Sequence, residues 1–224
     1  MMRAAAGLLL LFLAVSVARS DDLDAPTRYL ANADKYFAAR EAGHAVGSYK
    51  GFLEEFPNDP RADYAIYMIG ESCRLARTQM IVPAYYFTEF NPGGDSRQYR
   101  ALAQYLARTY GMYADVSEGD SYWYYDMRAY RELLKRYPKS QYADDCEFLL
   151  VEPQQQRRAW AIGMGPEVAK TAQGLIRKYE TIFRRYPDTN RRDDIRKAVS
   201  ELRGIEQRNT SGPPSTRGQL NAGH

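Results

Sequence analysis

The sequence is poor in the residues from which most catalytic and metal sites are built. It has only two histidines among its 224 residues, His44 and His224. A histidine-based triad or metal centre would have to be built around His44 alone. The motifs Gly-x-Ser-x-Gly and His-Glu-x-x-His are absent, and Gly163 and Gly165 lack the third glycine of a phosphate-binding loop. We therefore expect no enzymatic activity, no metal and no cofactor.

One enzymatic alternative stays open because Glu71 is followed by Ser72. A glutamate before a serine is the catalytic pattern of the superhelical lytic transglycosylases of the cell envelope, and one such acid can cleave a glycosidic bond. The Gly-Leu-Met-Gln-like segment of those enzymes is missing from this sequence. A residue of a repeat helix is the favoured interpretation of Glu71.

Charge of one sign is not in excess either. The chain has 31 basic and 28 acidic side chains, a formal net charge of +3 at pH 7. Binding to nucleic acid phosphates usually requires a much stronger basic field. Basic pairs such as Arg157-Arg158 are better interpreted as solvated surface, so nucleic acid is not expected as a partner.

Long hydrophobic runs are missing, apart from a short one near the first residue. Residues 4–15 are apolar or small, they follow Arg3, and residues 18–20 read Ala-Arg-Ser. The run is shorter than the ~20 apolar residues that span a bilayer, and the pattern is typical of a secretory signal peptide. We predict cleavage after Ser20, export to the periplasm or another extracytoplasmic space, and no stable membrane span. No cysteine stands near the predicted cleavage site, so a lipobox is absent.

Cysteine is too scarce for a disulfide scaffold, since only Cys73 and Cys146 are present. In an oxidising compartment the two could form one bridge. A bridge requires Cα atoms within about 7 Å of each other, which the sequence cannot show. The apolar surroundings of both residues favour the alternative, two separate buried small side chains.

What the sequence does contain is a repeat centred on three prolines. The copies are Tyr49 to Pro57 (YKGFLEEFP), Tyr130 to Pro138 (YRELLKRYP) and Tyr179 to Pro187 (YETIFRRYP). Each copy has a tyrosine eight residues before the proline, an apolar residue four before and an aromatic residue directly before. These positions share one face of a helix, which the proline then ends.

A second helix is predicted after each proline. Cap-forming residues follow the prolines, and Ala62 and Ala143 lie at the same position of the first two copies, where the third copy has Arg192. The prolines are 81 and 49 residues apart, whereas tetratricopeptide repeats recur every 34 or so. The repeat is therefore interrupted, by a predicted loop over 83–95 and a predicted helix over 96–114.

The proline-centred segments resemble the tetratricopeptide repeats of Gram-negative envelope proteins. The closest segments are 52–70 and 137–145, which are similar to the BamD-like lipoproteins of the outer-membrane β-barrel assembly machinery. The resemblance implies an all-α, TPR-like solenoid of antiparallel helix hairpins whose concave face and edges bind proteins. It covers about Tyr29 to Leu202. The lipobox of that family and its extra tyrosine-rich helix are missing here.

The predicted organisation has three parts. Residues 1–20 form the signal peptide, residues 21–208 form the helical repeat domain, and residues 209–224 form a tail without the apolar content that folding needs. Within the domain, the spacing of Tyr29, Ala33 and Phe37 predicts a helix that pairs with the helix containing Tyr49.

Two aromatic clusters are the candidate partner-binding residues: Tyr85 and Tyr86, and the run Tyr122, Trp123, Tyr124 and Tyr125. We interpret the run as helical. Four consecutive aromatic residues would then point in all directions, so some should stay exposed as anchors for a protein or for glycan rings. The alternative is that they fill the seam around the inserted helix.

Two functions follow from these features. The first is a non-catalytic scaffold or adaptor of the cell envelope that binds other envelope proteins. We expect it to associate peripherally with an outer-membrane complex during assembly of outer-membrane proteins. The second is a peptidoglycan-associated protein, which binds glycan or derives from a transglycosylase.

Overall fold

A computed structural model describes residues 23–80, 96–117, 120–160 and 166–210. The predicted signal peptide, the predicted loop and residues 211–224 of the predicted tail lie outside these residues. The first two residues of the predicted tail, 209 and 210, are helical. The described part contains the helices α1 (Ala25–Ala38), α2 (Ala42–Glu55), α3 (Ala62–Thr78), α4 (Ser96–Tyr110), α5 (Arg128–Arg136), α6 (Ala143–Trp160), α7 (Pro166–Arg185) and α8 (Arg192–Thr210), and the strands β1 (Met112–Ser117) and β2 (Asp120–Tyr125). The predicted all-α, TPR-like class is confirmed, with one small hairpin added.

The helices of the repeat pack in sequence order, with α4 outside this series. The pairs in contact are α1 with α2, α2 with α3, α5 with α6, α6 with α7 and α7 with α8. Helix α3 packs directly on α5. The inserted elements α4, β1 and β2 therefore interrupt the repeat in sequence without separating its helices in space.

The three proline blocks form the same turn. The residue before the first two prolines leaves the helical region, with φ of −129° at Phe56 and −131° at Tyr137, because proline disfavours an α conformation just before it. Two residues after each proline, a side-chain oxygen accepts a hydrogen bond from a backbone N–H. The bonds are Arg61 N to Asp59 Oδ1 (2.9 Å), Tyr142 N to Ser140 Oγ (3.2 Å) and Arg191 N to Thr189 Oγ1 (3.1 Å). These bonds satisfy amides that the next helix would otherwise leave without partners.

Each of these turns also bonds to the first turn of an earlier helix. The contacts are Arg61 Nη1 to Thr27 Oγ1 of α1 (2.8 Å), Ser140 Oγ to Asp63 Oδ2 of α3 (2.6 Å) and Arg191 Nε to Asp145 Oδ1 of α6 (2.5 Å). A polar contact between a proline turn and the first turn of an earlier helix thus recurs three times along the molecule. It aligns the N-terminal ends of α1, α3, α6 and α8 along one edge.

The repeat tyrosines lie at the centre of the core. Tyr49, Tyr130 and Tyr179 are each fully buried. The first belongs to a cluster built by α1, α2 and α3, and the other two belong to a larger cluster that continues through α8. The offset of eight residues before proline therefore marks the side chain that each hairpin buries.

The aromatic run 122–125 was interpreted as helical, and that interpretation is wrong. The run belongs to β2, which pairs antiparallel with β1. Alternate side chains of a strand point to opposite faces, so two aromatic residues can enter the core while their neighbours face outward. The predicted helix over 96–114 is present as α4 but ends at Tyr110, where Gly111 adopts a φ of +63°.

Candidate functional site

The aromatic run of β2 divides between two faces of the hairpin. Trp123 pairs with Ala114 and Tyr125 pairs with Met112, while Tyr124 pairs with Tyr113. Tyr125 is only 3% exposed, and its hydroxyl accepts a hydrogen bond from the backbone N–H of Ala129 at 3.1 Å. A partner therefore cannot reach Tyr125, so Tyr125 is not among the residues of the run that stay exposed.

The other predicted aromatic contacts have different surroundings. Trp123 is half-buried and packs on the small cluster around Leu106 and Met112. Tyr124 stacks on Tyr113 with ring centroids 5.3 Å apart and an interplanar angle of 21°. The side chain of Tyr122 lies outside the described residues, as do Tyr85 and Tyr86 entirely. Their role in partner binding stays a prediction.

A cluster of polar contacts joins the hairpin to the repeat helices. Asp126 and Arg128 form a salt bridge of 2.7 Å, and Arg128 also donates to the Tyr113 hydroxyl at 3.0 Å. Both side chains cover Gly111, where a Cβ atom would collide with Asp126 Oδ1 and Arg128 Nε. Hydrogen bonding to Asp126 raises the pKa of Arg128, so the guanidinium stays charged.

A groove runs across α1, α3 and the start of α6. It has a volume of about 470 Å³, which is within the range of ligand-binding clefts. Leu30 and Ala31 line it from α1, Tyr64 from α3, and Gln141 and Tyr142 from the last proline turn before α6. Sequence reasoning missed this groove because its walls come from α1, α3 and the turn before α6, which only the fold brings together.

The two tyrosines that line the groove, Tyr64 and Tyr142, are held by the carboxylate of Asp34 and by the ring of Tyr67. Asp34 accepts hydrogen bonds from the hydroxyls of Tyr49 at 2.5 Å and Tyr64 at 2.7 Å. Tyr142 stacks on Tyr67 with centroids 4.7 Å apart and planes 13° apart. Burial raises the pKa of Tyr64, and the hydrogen bond to Asp34 raises it further. The groove therefore has a rigid aromatic wall whose hydroxyls stay protonated.

Glu71, the residue considered for catalysis, is engaged in the core. It accepts a hydrogen bond from the hydroxyl of Tyr130 at 2.6 Å and forms a 3.1 Å salt bridge with Arg74. Burial, followed by the charge of Glu71, raises the pKa of Tyr130 far above its usual value. These contacts give Glu71 a structural role between α3 and α5.

A second depression lies between α6 and α7, with a volume of about 560 Å³. Leu150, Val151 and Ile182 form its apolar part, and the exposed side chains of Arg177 and Lys178 lie at its rim. Its lining has two basic side chains and one acid, Glu147, whereas the first groove has the two acids Asp34 and Asp63 and one basic side chain, Arg61.

Both cysteines are free thiols, buried on different helices. Cys73 is 2% exposed in α3 and Cys146 is fully buried in α6. Burial raises the pKa of Cys73 to about 12, and burial likewise raises that of Cys146. The disulfide considered from the sequence is not formed in this structure.

None of the helices in the described ranges is long and apolar enough to cross a membrane. Among curated individual proteins, no match to the chain is found. The model of one protein family, YfiO, described as outer membrane lipoprotein, matches residues 27–156, which is more than half of the chain. This match spans α1 to α6 and confirms the resemblance to BamD-like envelope proteins. The chain belongs to the YfiO family of outer membrane lipoproteins.

Proposed function

We propose that this envelope protein is a non-catalytic scaffold that binds extended segments of other envelope proteins during the assembly of outer-membrane proteins. The observation that carries the proposal is the groove across α1, α3 and the turn before α6, whose lining combines the rings of Tyr64 and Tyr142 with polar side chains such as Gln141. An extended polypeptide presents both side chains and main-chain amides to a binding surface. The groove therefore offers partners for both.

The aromatic side of the groove is suited to hold apolar side chains. The ring of Tyr64 is fixed by the hydrogen bond of its hydroxyl to Asp34, and the ring of Tyr142 by stacking on Tyr67. A wall that is already ordered loses little conformational entropy when a ligand binds, which favours affinity. Tyrosine is also enriched among the residues that contribute most to protein interfaces.

The polar side of the groove is suited to hold a peptide main chain. Gln141 is exposed and lies beside Tyr142, to whose hydroxyl its amide donates at 3.1 Å. The carboxylates of Asp34 and Asp63 are already engaged with Tyr49, Tyr64 and Ser140. Acids that hold neighbouring hydroxyls in place support a binding role for this surface rather than an acid–base reaction.

The test is an affinity experiment with two matched variants of α1. Ala31 is exposed and lines the groove. Ala38 is also exposed and is the last residue of the same helix, outside the groove. The chain from Asp21 is used to capture partners from detergent-solubilised envelopes, as wild type, as Ala31→Trp and as Ala38→Trp. We expect wild type and Ala38→Trp to recover barrel-assembly components and Ala31→Trp to lose them.

Two outcomes would contradict the proposal. Equal recovery by all three baits would move the binding site away from the groove. Sedimentation of the chain with purified sacculi, without enrichment of any protein, would instead favour the peptidoglycan-associated function.

A further inference from the structure

The groove across α1, α3 and the turn before α6 carries a surplus of negative charge. Its lining contains two acids, Asp34 and Asp63, and one basic side chain, Arg61. Arg61 forms a salt bridge of 2.8 Å with Asp59, which is not among the lining residues. Two nitrogens of the guanidinium donate to the two oxygens of that carboxylate. The positive charge of Arg61 is therefore balanced before any ligand enters the groove.

The two acids of the lining have no such partner. None of the salt bridges among the described residues includes Asp34 or Asp63. Asp63 accepts hydrogen bonds from the hydroxyl of Ser140 at 2.6 Å and from the backbone N–H of Tyr64 at 2.7 Å. These donors are neutral, so they satisfy the carboxylate as an acceptor without cancelling its charge.

Asp34 keeps one carboxylate oxygen available to a ligand. The hydroxyls of Tyr49 and Tyr64 both donate to its Oδ1, at 2.5 Å and 2.7 Å. Its Oδ2 accepts no hydrogen bond from the described residues. A carboxylate has about four acceptor positions on its two oxygens. Because Asp34 lines the groove, a ligand that enters the groove can supply the missing donor.

Two aromatic rings form a corner beside these acids. The rings of Tyr64 and Tyr142 both line the groove, with centroids 5.9 Å apart and planes inclined at 44°. The hydroxyl of Tyr64 is held by Asp34, and one face of Tyr142 is covered by Tyr67. Aromatic faces attract cations that lie within about 6 Å of the ring centroid. Rings and carboxylates together therefore favour an ammonium or guanidinium group.

We propose that the groove selects segments of envelope proteins that carry a lysine or arginine side chain. The inference rests on the proposed function, because it names the residue type that the groove recognises within an extended segment. The stem of the basic side chain lies against the rings of Tyr64 and Tyr142, and its charged end donates to Oδ2 of Asp34. Such charge-assisted hydrogen bonds are about twice as strong as neutral ones. Asp34 is thereby a specificity-determining residue of the groove.

The same charges disfavour segments without a basic residue. A purely apolar side chain would cover Asp34 and Asp63 and remove their charges from water without a partner, which is costly. An acidic side chain would add like-charge repulsion to that cost. The groove therefore discriminates both by attraction of the cation and by the penalty that other side chains meet.

The experiment is a double-mutant cycle between Asp34 and one residue of a peptide. The probes are two fluorescein-labelled peptides of alternating valine and serine, which differ only in a central lysine or norleucine. Norleucine has the straight carbon chain of lysine without the ammonium group. Fluorescence anisotropy measures the affinity of each peptide for the chain from Asp21.

Three forms of the chain are compared: wild type, Asp34→Asn and Asp188→Asn. The amide oxygen that replaces Oδ1 at position 34 can still accept from the hydroxyls of Tyr49 and Tyr64, while the negative charge is removed. Asp188 is exposed and follows the third repeat proline, so its replacement makes the same change in charge outside the groove. Circular dichroism confirms that each variant is folded.

We expect wild type and Asp188→Asn to bind the lysine peptide about tenfold more tightly than the norleucine peptide. Asp34→Asn should lose this preference, because its affinity falls for the lysine peptide alone. An equal loss of affinity for both peptides would show that Asp34 has only a structural role. A preference for lysine that survives in Asp34→Asn would assign the cation to other residues. Either result would overturn the proposal.

A fourth variant, Ala31→Trp, separates this proposal from the proposed function. Ala31 lines the groove, so the variant should weaken the binding of both peptides. Equal affinity of wild type for the two peptides, abolished by Ala31→Trp, would leave the groove as a binding site and refute its preference for a cation. If neither peptide binds to wild type, the proposed function of the groove fails together with this inference.

A measurement on wild type alone covers the case in which Asp34→Asn is unstable. Salt screens the attraction between charges over a Debye length of about 8 Å at physiological ionic strength. Added salt should therefore weaken the binding of the lysine peptide and leave that of the norleucine peptide nearly unchanged. The same salt dependence for both peptides would contradict recognition of the cation.

Discussion

The hydroxyl of Tyr130 donates a 2.6 Å hydrogen bond to Glu71, which joins α5 to α3 across the inserted elements. The first repeat has an equivalent bond, from the hydroxyl of Tyr49 to Asp34 at 2.5 Å. In both cases the tyrosine lies eight residues before the repeat proline, and the acid lies on the neighbouring helix. The kind of bond that joins α2 to α1 thus also joins α5 to α3 across the insertion.

Replacing Tyr130 with phenylalanine should reduce stability without changing the fold. The change removes the hydroxyl that bonds to Glu71, and hydrogen bonds to charged groups contribute about 1.5–3 kcal/mol. We expect the free energy of unfolding in urea to fall by about 2 kcal/mol. The control is Tyr29→Phe, at a position that is 42% exposed, which should change it by less than about 0.5 kcal/mol. Similar values for both variants would argue against a stabilising role for the bond.

Two glycine-to-alanine changes should have opposite effects. A Cβ atom at Gly70 would overlap the ring of Tyr130, which is fully buried and has no room to move. Gly70→Ala should therefore destabilise the protein by about 2 kcal/mol. At Gly47, also inside a helix, a Cβ atom would meet nothing within 4 Å. Gly47→Ala should stabilise by about 0.5–1 kcal/mol. Thermal unfolding measures both, and the same sign for both changes would contradict the packing described.

Stability should decrease in alkaline solution. Burial raises the pKa of Tyr125 and of Tyr130 far above the ordinary value of 10.0. Above pH 10, unfolded chains lose these protons while folded chains retain them, so the folded state binds more protons and stability falls as pH rises. Each such tyrosine contributes a slope of up to about 1.4 kcal/mol per pH unit. Urea unfolding between pH 8 and 11 measures the slope. A slope in Tyr130→Phe as steep as in wild type would contradict the assignment.

The two thiols should be unreactive until the protein unfolds. Cys73 and Cys146 are buried, and burial raises the pKa of Cys73 to about 12, so the nucleophilic thiolate is scarce at pH 8. We expect a thiol reagent to label neither residue in buffer and both in denaturant. Rapid labelling in buffer would contradict the burial. Absence of labelling in denaturant, restored by a reductant, would show a disulfide in the protein as isolated.

The repeat could be predicted from the sequence because its signals are local. Tyr49 and Pro57 belong to one helix and its end, so their spacing is fixed by helical geometry and by the restriction that proline imposes. The same spacing at Tyr130 and Tyr179 predicted the helices that bury these rings. Family membership was also predicted correctly, from the residues around Pro57 and Pro138.

The hairpin was missed because aromatic residues alone do not determine secondary structure. Trp123 and Tyr124 were interpreted as part of a helix, although aromatic residues are enriched in strands. The signals for a hairpin were the glycine at position 119, between two runs of residues that favour strands, and Gly111 before the first run. Tertiary packing of the hairpin on α3 and α4 then stabilises it.

The groove could not be predicted, because no local pattern encodes it. Leu30, Tyr64 and Tyr142 are separated by tens of residues, and only the docking of each proline turn on an earlier helix brings them together. The three docking contacts use different residue types, so their equivalence is visible in the structure but not in the sequence.

Site-specific photocrosslinking in intact envelopes tests the scaffold function most directly. A photoreactive phenylalanine analogue is placed at Ala31, inside the groove, or at Ala38, outside it on the same helix. If the groove binds segments of envelope proteins, irradiation should give defined adducts with outer-membrane proteins or their assembly components from position 31 and not from position 38. Adducts of equal yield from both positions, or none from position 31, would contradict the proposed function.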